Sequence, residues 1–211
     1  MKYKKHIEQS FESAENNISK LPDKILKFRG MSGVKTRHLY NNLCNLEGIN
    51  YLEVGLYTGS TFISAIFNNN INCTGIDNWS LKPEAKDLFE ERLDKYKEGN
   101  NVNCIENDCF DIDASSLGKF DIYLYDGKHG EESHKKGLTH FIDCLNDDFI
   151  FIVDDWNWEA VRNGTESAIK ELGLNIALKK EIRTTQDNTH GFPKCQDSDW
   201  HNGICVFELT K

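Results

Sequence analysis

The chain has 211 residues, 38% hydrophobic and 28% charged, with a formal net charge of −9. That is long enough for one domain with a sizeable core, and the acidic balance argues against nucleic acid as the main partner, since phosphate binding needs clustered Lys and Arg. No apolar stretch reaches the length of a membrane span, and the basic start from Met1 to Asn16 lacks the apolar run of a secretion signal, so a cytoplasmic protein is expected, without a membrane partner.

Residues 5–20 and 34–46 carry helical spacing, with Leu39, Leu43 and Leu46 on one stripe and a break at Gly30 to Gly33 between them. From residue 50 strands and helices alternate. "NYLEV" reads as the first strand and "STFISAIFNN" as the helix after it. "CTGID" is the second strand. A helix follows over 82–99, with Pro83 in its first turn and Gly99 at its end. "NCIEND" is the third strand and "FDIYLYD" the fourth, followed by a helix over about 131–145. "FIFIVDD" is the fifth, followed by a broken helical stretch to Leu172. "ALKKEIRT" and "GICVFELT" are the sixth and seventh. This order predicts a doubly wound, Rossmann-like α/β domain over 49–211, with a seven-stranded, mostly parallel sheet covered on both faces. Residues 1–48 form an N-terminal helical cap. The seven cysteines make no C-x-x-C pair and several lie in apolar runs, which fits reduced core thiols.

Ligands of such sheets sit beyond the carboxyl ends of the strands. Asp77, Asp108, Asp126, Asp154 and Asp155 all fall at such ends, where a core would not want them. The turn "LEVGLYTGST" after the first strand has the spacing E-x-G-x-x-x-G. Gly55 and Gly59 allow a tight turn and close approach to a ligand. The spacing is neither the dinucleotide fingerprint nor the phosphate loop, and Glu53 would repel a phosphate. An acid there suits a ligand with positive charge. Asp77, 24 positions past Glu53, is placed to accept hydrogen bonds from two ribose hydroxyls. A cationic, ribose-bearing ligand points to S-adenosylmethionine, with Tyr57, Ser60, Asn78, Trp79, Asp108 and Asp126 as further expected contacts. The plain alternative is an ordinary strand-to-helix turn with scattered surface acids.

With these residues in view, 50–211 resembles the class I S-adenosylmethionine-dependent methyltransferases. "LEVGLYTGST" is similar to the glycine motif of the catechol O-methyltransferases, and "EIRTT" to "GICVFELT" resembles the family's closing strand pair, whose last strand runs antiparallel. The resemblance implies that Glu53, Gly55 and Gly59 shape the cofactor pocket, Asp77 holds the ribose and Asp108 lies near the adenine. It also implies that the cap reads the substrate, with "GMSG" at the methionine end. The N/D-P-P-Y motif of base-directed amino methyltransferases is replaced by "YDGKHGEESH". Asp126 and the Asp154–Asp155 pair resemble the metal ligands of metal-dependent O-methyltransferases. The spacing Asp126-x-x-His129 and the run "WEAVRNGTESAIKEL" resemble the macrocin and mycinamicin sugar O-methyltransferases, where catechol enzymes have a lysine in place of the histidine.

Three carboxylates make a hard oxygen site best suited to Mg²⁺, with manganese or calcium as alternatives. A hydroxyl on such a cation ionises more readily, and His129 is the expected base, with Asp126 beside it. The plain alternative has these groups capping helices. His134 and His140 read as structural. Trp156 and Trp158 are expected on the pocket wall. Residues 185–203 are expected as a lid, with Phe192, Trp200 and His201 as substrate contacts. The expected function is a metal-dependent O-methyltransferase for a hydroxyl of a small molecule, a sugar among the candidates. The alternatives are a metal-independent protein or RNA methyltransferase, or a cofactor-binding module without turnover. A homo-oligomer is left open.

Overall fold

A computed structural model describes residues 1–211. Three N-terminal helices, α1 (Lys4–Glu15), α2 (Asp23–Leu26) and α3 (Val34–Leu43), precede the first strand. The α1 helix stops five residues short of the predicted end, because Asn17 adopts the left-handed conformation (φ 55°) that closes helices. The alternation then runs β1 (Asn50–Val54), α4 (Ser60–Ile66), β2 (Asn72–Asp77), α5 (Glu84–Tyr96), β3 (Asn101–Glu106), β4 (Phe120–Tyr125) and α6 (Glu131–Phe141). It finishes with β5 (Leu145–Asp154), α7 (Glu159–Glu171), β6 (Asn175–Ile182) and β7 (Ile204–Thr210).

The strands form one sheet in the order β3-β2-β1-β4-β5-β7-β6. β1 to β5 pair in parallel, and β7 is antiparallel to both β5 and β6. This is the predicted seven-stranded, mostly parallel, doubly wound sheet. Side chains alternate between its faces, so Tyr51, Ile122 and Ile150 join one core while Leu52, Tyr123 and Phe151 join the other. The first core is closed by α1 to α5, including Ile7, Phe11, Leu39 and Phe62. The second is closed by α6 and α7 through Leu138, Phe141, Val161 and Ile169.

The predicted break before Leu172 does not exist, since α7 is continuous. Within it Gly164 is a contact residue: a Cβ there would stand 2.1 Å from the Glu131 carbonyl oxygen of α6. Glycine lets the two helices touch. All seven cysteines are free thiols. No helix is long and apolar enough to cross a membrane.

Candidate functional site

The chain leaves β1 toward β2 and leaves β4 toward β5, so a crevice opens between β1 and β4 at the carboxyl edge of the sheet. Gly55, just past β1, has φ 97°, and a Cβ there would lie 2.0 Å from the carbonyl oxygen of Asp126. The Asp126 N–H donates to the Val54 carbonyl at 2.9 Å. Only glycine permits this approach, which brings the turn after β1 against the start of the loop after β4. Around that point lies a cleft of about 700 Å³.

Of the expected cofactor residues, Gly55, Tyr57, Asp77, Asn78, Trp79, Asp108 and Asp126 line the cleft, whereas Glu53, Gly59 and Ser60 do not. Glu53 is fully buried behind the turn and accepts hydrogen bonds from the Tyr51 and Thr61 hydroxyls, tying β1 to α4. Burial pushes its carboxyl up to about 8, against those two hydrogen bonds, so it is a brace rather than an exposed charge. Gly59 takes φ 78° before α4, and a Cβ there would meet the Phe89 ring at 2.7 Å. The Ser60 hydroxyl sits 3.2 Å from that of Ser32, and Gly30 packs where a Cβ would strike it. That contact docks the "GMSG" turn on the start of α4 and puts Met31 on the cleft wall.

Asp77 is held by the backbone. Its Oδ2 accepts from the Leu56 and Tyr57 N–H groups at 2.8 Å each, and its Oδ1 accepts from the Trp79 N–H at 2.8 Å. A carboxylate offers about four lone-pair sites. Three are used, so room remains for one donor from the cleft, not for the two ribose hydroxyls expected. Asp108 caps the following turn by accepting from the Phe110 N–H at 3.0 Å.

Across the cleft, Asp126, His129 and Asp155 bring possible ligand atoms within 4.8 Å of one another. His129 Nε2 lies 2.9 Å from Asp155 Oδ2 and 3.6 Å from Asp126 Oδ1. The expected set of Asp126, Asp154 and Asp155 is therefore corrected. Adjacent strand residues face opposite ways, and the chain turns at Asp155 (φ 56°). Asp154 points away from the cleft, accepting from the Asp155 N–H at 2.8 Å and from the buried Tyr40 hydroxyl at 3.4 Å. Burial, with the charges of Asp126 and Asp155, pushes its carboxyl well up. Burial likewise pushes Asp126 up to about 6, against the pull of His129. Burial disfavours charge on His129 too, but the two carboxylates outweigh it and push the imidazole up to about 10. The carboxylates that favour charge on the ring are the same groups that would hold a cation.

Residues 190–202 close one side of the cleft with His190, Lys194, Cys195, His201 and Asn202. Of the expected substrate contacts only His201 lines it. Trp200 is buried and stacks on Phe11 at 6.1 Å, while Phe192 is 89% exposed and off the wall. Trp156 is also core, donating through Nε1 to Glu181 at 2.8 Å. Trp158 does reach the wall, edge-to-face with His129 at 4.8 Å and His190 at 5.2 Å between ring centres. His134 is buried behind Tyr125, and His140 bonds the Ile112 carbonyl oxygen at 2.9 Å.

Sequence reasoning missed Asn202. Its Oδ1 accepts from the Gly191 N–H at 3.0 Å, which turns Nδ2 toward Asp155 Oδ1 at 2.6 Å. The signal was the antiparallel last strand: the start of β7, not its end, lies at the edge where the parallel strands finish.

No family model and no curated protein sequence matches the chain. Solved structures do. An O-methyltransferase from Bacillus cereus in complex with S-adenosylhomocysteine is 10% identical, with TM-score 0.60 over 98% of this chain and 91% of that one. The fold is that of the class I S-adenosylmethionine-dependent methyltransferases. The S-adenosylhomocysteine-bound methyltransferase PaMTH1 of Podospora anserina is 14% identical, with TM-score 0.57 over 98% of this chain and 88% of that one. A precorrin 8W decarboxylase from Methanobacterium thermoautotrophicum is 20% identical, with TM-score 0.59 over 90% of this chain and 99% of that one. At these identities the likeness is one of fold.

Proposed function

We propose that the protein is an S-adenosylmethionine-dependent O-methyltransferase that works with a divalent cation on a hydroxyl of a small molecule, a sugar among the candidates. The observation that carries this reading is the pairing of two sites in one cleft. The glycine turn with Asp77 and Asp108 lies on one side, and the Asp126, His129, Asp155 group on the other.

The cofactor half supplies an acceptor site on Asp77, the backbone opening at Gly55 and the Trp79 ring. Four strand-end acids line the cleft, which complements the charge of a sulfonium. The donor set of the other half fits a cation: two carboxylates and an imidazole converge, and Asp155 is oriented from behind by Asn202. A divalent cation held there supplies Lewis acidity that eases ionisation of an alcohol. Asp126 and Asp155 bind it, Trp158 bounds the acceptor side, and residues 190–202 shield that side from water. Most of the acceleration comes from holding two reactants in register, an effect worth roughly 7–11 kcal/mol where alignment is good.

The test has two parts. Calorimetry should find one S-adenosylhomocysteine per chain, and labelled S-adenosylmethionine should pass its methyl group to one member of a panel of hydroxylated sugars and phenols. Binding without transfer to any acceptor supports the module without turnover. Absence of binding rejects the reading.

A further inference from the structure

We infer that His129 Nε2 is the third protein ligand of the cation, so that the site selects a first-row transition dication over Mg²⁺. This rests on the reading that the Asp126–Asp155 edge holds a cation, and on nothing about the acceptor.

The first argument is spacing. Metal–ligand bonds of about 2.1 Å put neighbouring ligand atoms of an octahedron about 3.0 Å apart. His129 Nε2 stands 2.9 Å from one Asp155 oxygen and 3.6 Å from one Asp126 oxygen, which brackets that edge. The three donor atoms lie within 4.8 Å of one another.

The second argument is elimination of a third oxygen. Asp154 is turned away from the cleft, with one oxygen on the Asp155 N–H and the other 3.4 Å from the Tyr40 hydroxyl. The amide oxygen of Asn202 is committed to the Gly191 N–H and to His190 Nδ1 at 3.3 Å, so the residue presents its nitrogen to Asp155. Among the His, Cys, Asp and Glu side chains, the one that joins Asp126 and Asp155 is the imidazole of His129.

The third argument is donor chemistry. Mg²⁺ takes oxygen ligands, whereas an imidazole nitrogen suits the first-row transition metals, whose affinities rise from Mn²⁺ through Co²⁺. The ring is also supported from outside. Trp158 meets it edge-to-face, and Asn202 fixes the carboxylate it faces. A coordinated Nε2 has no free lone pair, so this nitrogen does not serve as the base once the cation is bound.

The experiment uses the full-length protein stripped with chelator. Calorimetry should give one Mn²⁺ or Co²⁺ per chain with a Kd at least tenfold below that for Mg²⁺, and Co²⁺ tighter than Mn²⁺. Electron spin echo spectra of the Mn²⁺ form should show modulation from a directly bound imidazole nitrogen. In His129→Ala that modulation should vanish and the Mn²⁺ preference over Mg²⁺ should fall at least tenfold. Asp154→Asn should keep both within a few-fold, and unaltered S-adenosylhomocysteine binding in each variant serves as the folding control. Mg²⁺ binding as tightly as Mn²⁺, or nitrogen modulation persisting in His129→Ala, overturns the inference. If S-adenosylhomocysteine binds but no cation does, the metal inference fails while the cofactor reading stands. If Mn²⁺ binds through nitrogen but S-adenosylhomocysteine does not, the reverse holds.

Discussion

Asp77 after β2 and Asp155 at the end of β5 both stand at the carboxyl edge of the sheet and both line the cleft. They are held in different ways. Asp77 receives three backbone N–H groups from the glycine turn and its own loop, so it fixes the shape of the wall. Asp155 is held by two side chains from separate segments, His129 and Asn202. A carboxylate bound to the backbone cannot change partners without unmaking the loop. One held by side chains can change partners by rotamer movement alone. Equivalent positions on parallel strands thus yield a rigid half and an exchangeable half.

The comparison breaks most completely where the two halves touch. Gly55→Ala forces a Cβ against the Asp126 carbonyl and imposes a left-handed φ on a residue with a side chain. We expect a loss of roughly 3 kcal/mol or more in chemical denaturation, together with loss of both binding sites. Substitutions confined to the exchangeable half should spare stability and strike turnover. Asp155→Ala should lower it by more than about hundredfold in a steady-state assay. Asn202→Ala, which removes only an outer support, should cost about 10–100-fold in cation affinity by calorimetry.

The rigid half should respond in the opposite sense. Asp77→Ala leaves the Leu56, Tyr57 and Trp79 N–H groups without their acceptor. We expect a thermal denaturation loss of about 2 kcal/mol and at least about tenfold weaker cofactor binding, with cation affinity unchanged. The smallest effect sits behind the turn. The Glu53 carboxyl is pushed from 4.5 up to about 8, so between these values the folded chain holds a proton that the unfolded chain has released. The stability tied to this proton is complete below about pH 4.5 and is lost as pH rises toward 8. Denaturant titrations from pH 6 to 8 should show wild type losing about 1 kcal/mol per pH unit relative to Glu53→Gln. Parallel curves would mean that Glu53 is ionised in the fold.

The layout of the sheet was legible because β2, β4 and β5 each read as an apolar run closed by an acid. Asp126 and Asp155 could be found that way. Asp154 could not be separated from Asp155, because adjacent residues differ only in the face they take, and the turn at Asp155 decides that face. Asn202 escaped because the carboxyl-end rule fails for β7, the strand that runs the other way. Trp156 and Trp200 looked like pocket walls beside polar residues, yet their rings found core partners in Phe207 and Phe11. The role of Gly164 could not be read either, because a sequence does not show that another helix presses against it.

The most direct test titrates S-adenosylhomocysteine by calorimetry into wild type, Asp77→Ala and Asp155→Ala side by side. The account predicts one site per chain, weakened at least about tenfold by Asp77→Ala and by less than about threefold by Asp155→Ala. Absence of binding to wild type, or equal weakening by the two substitutions, would contradict it.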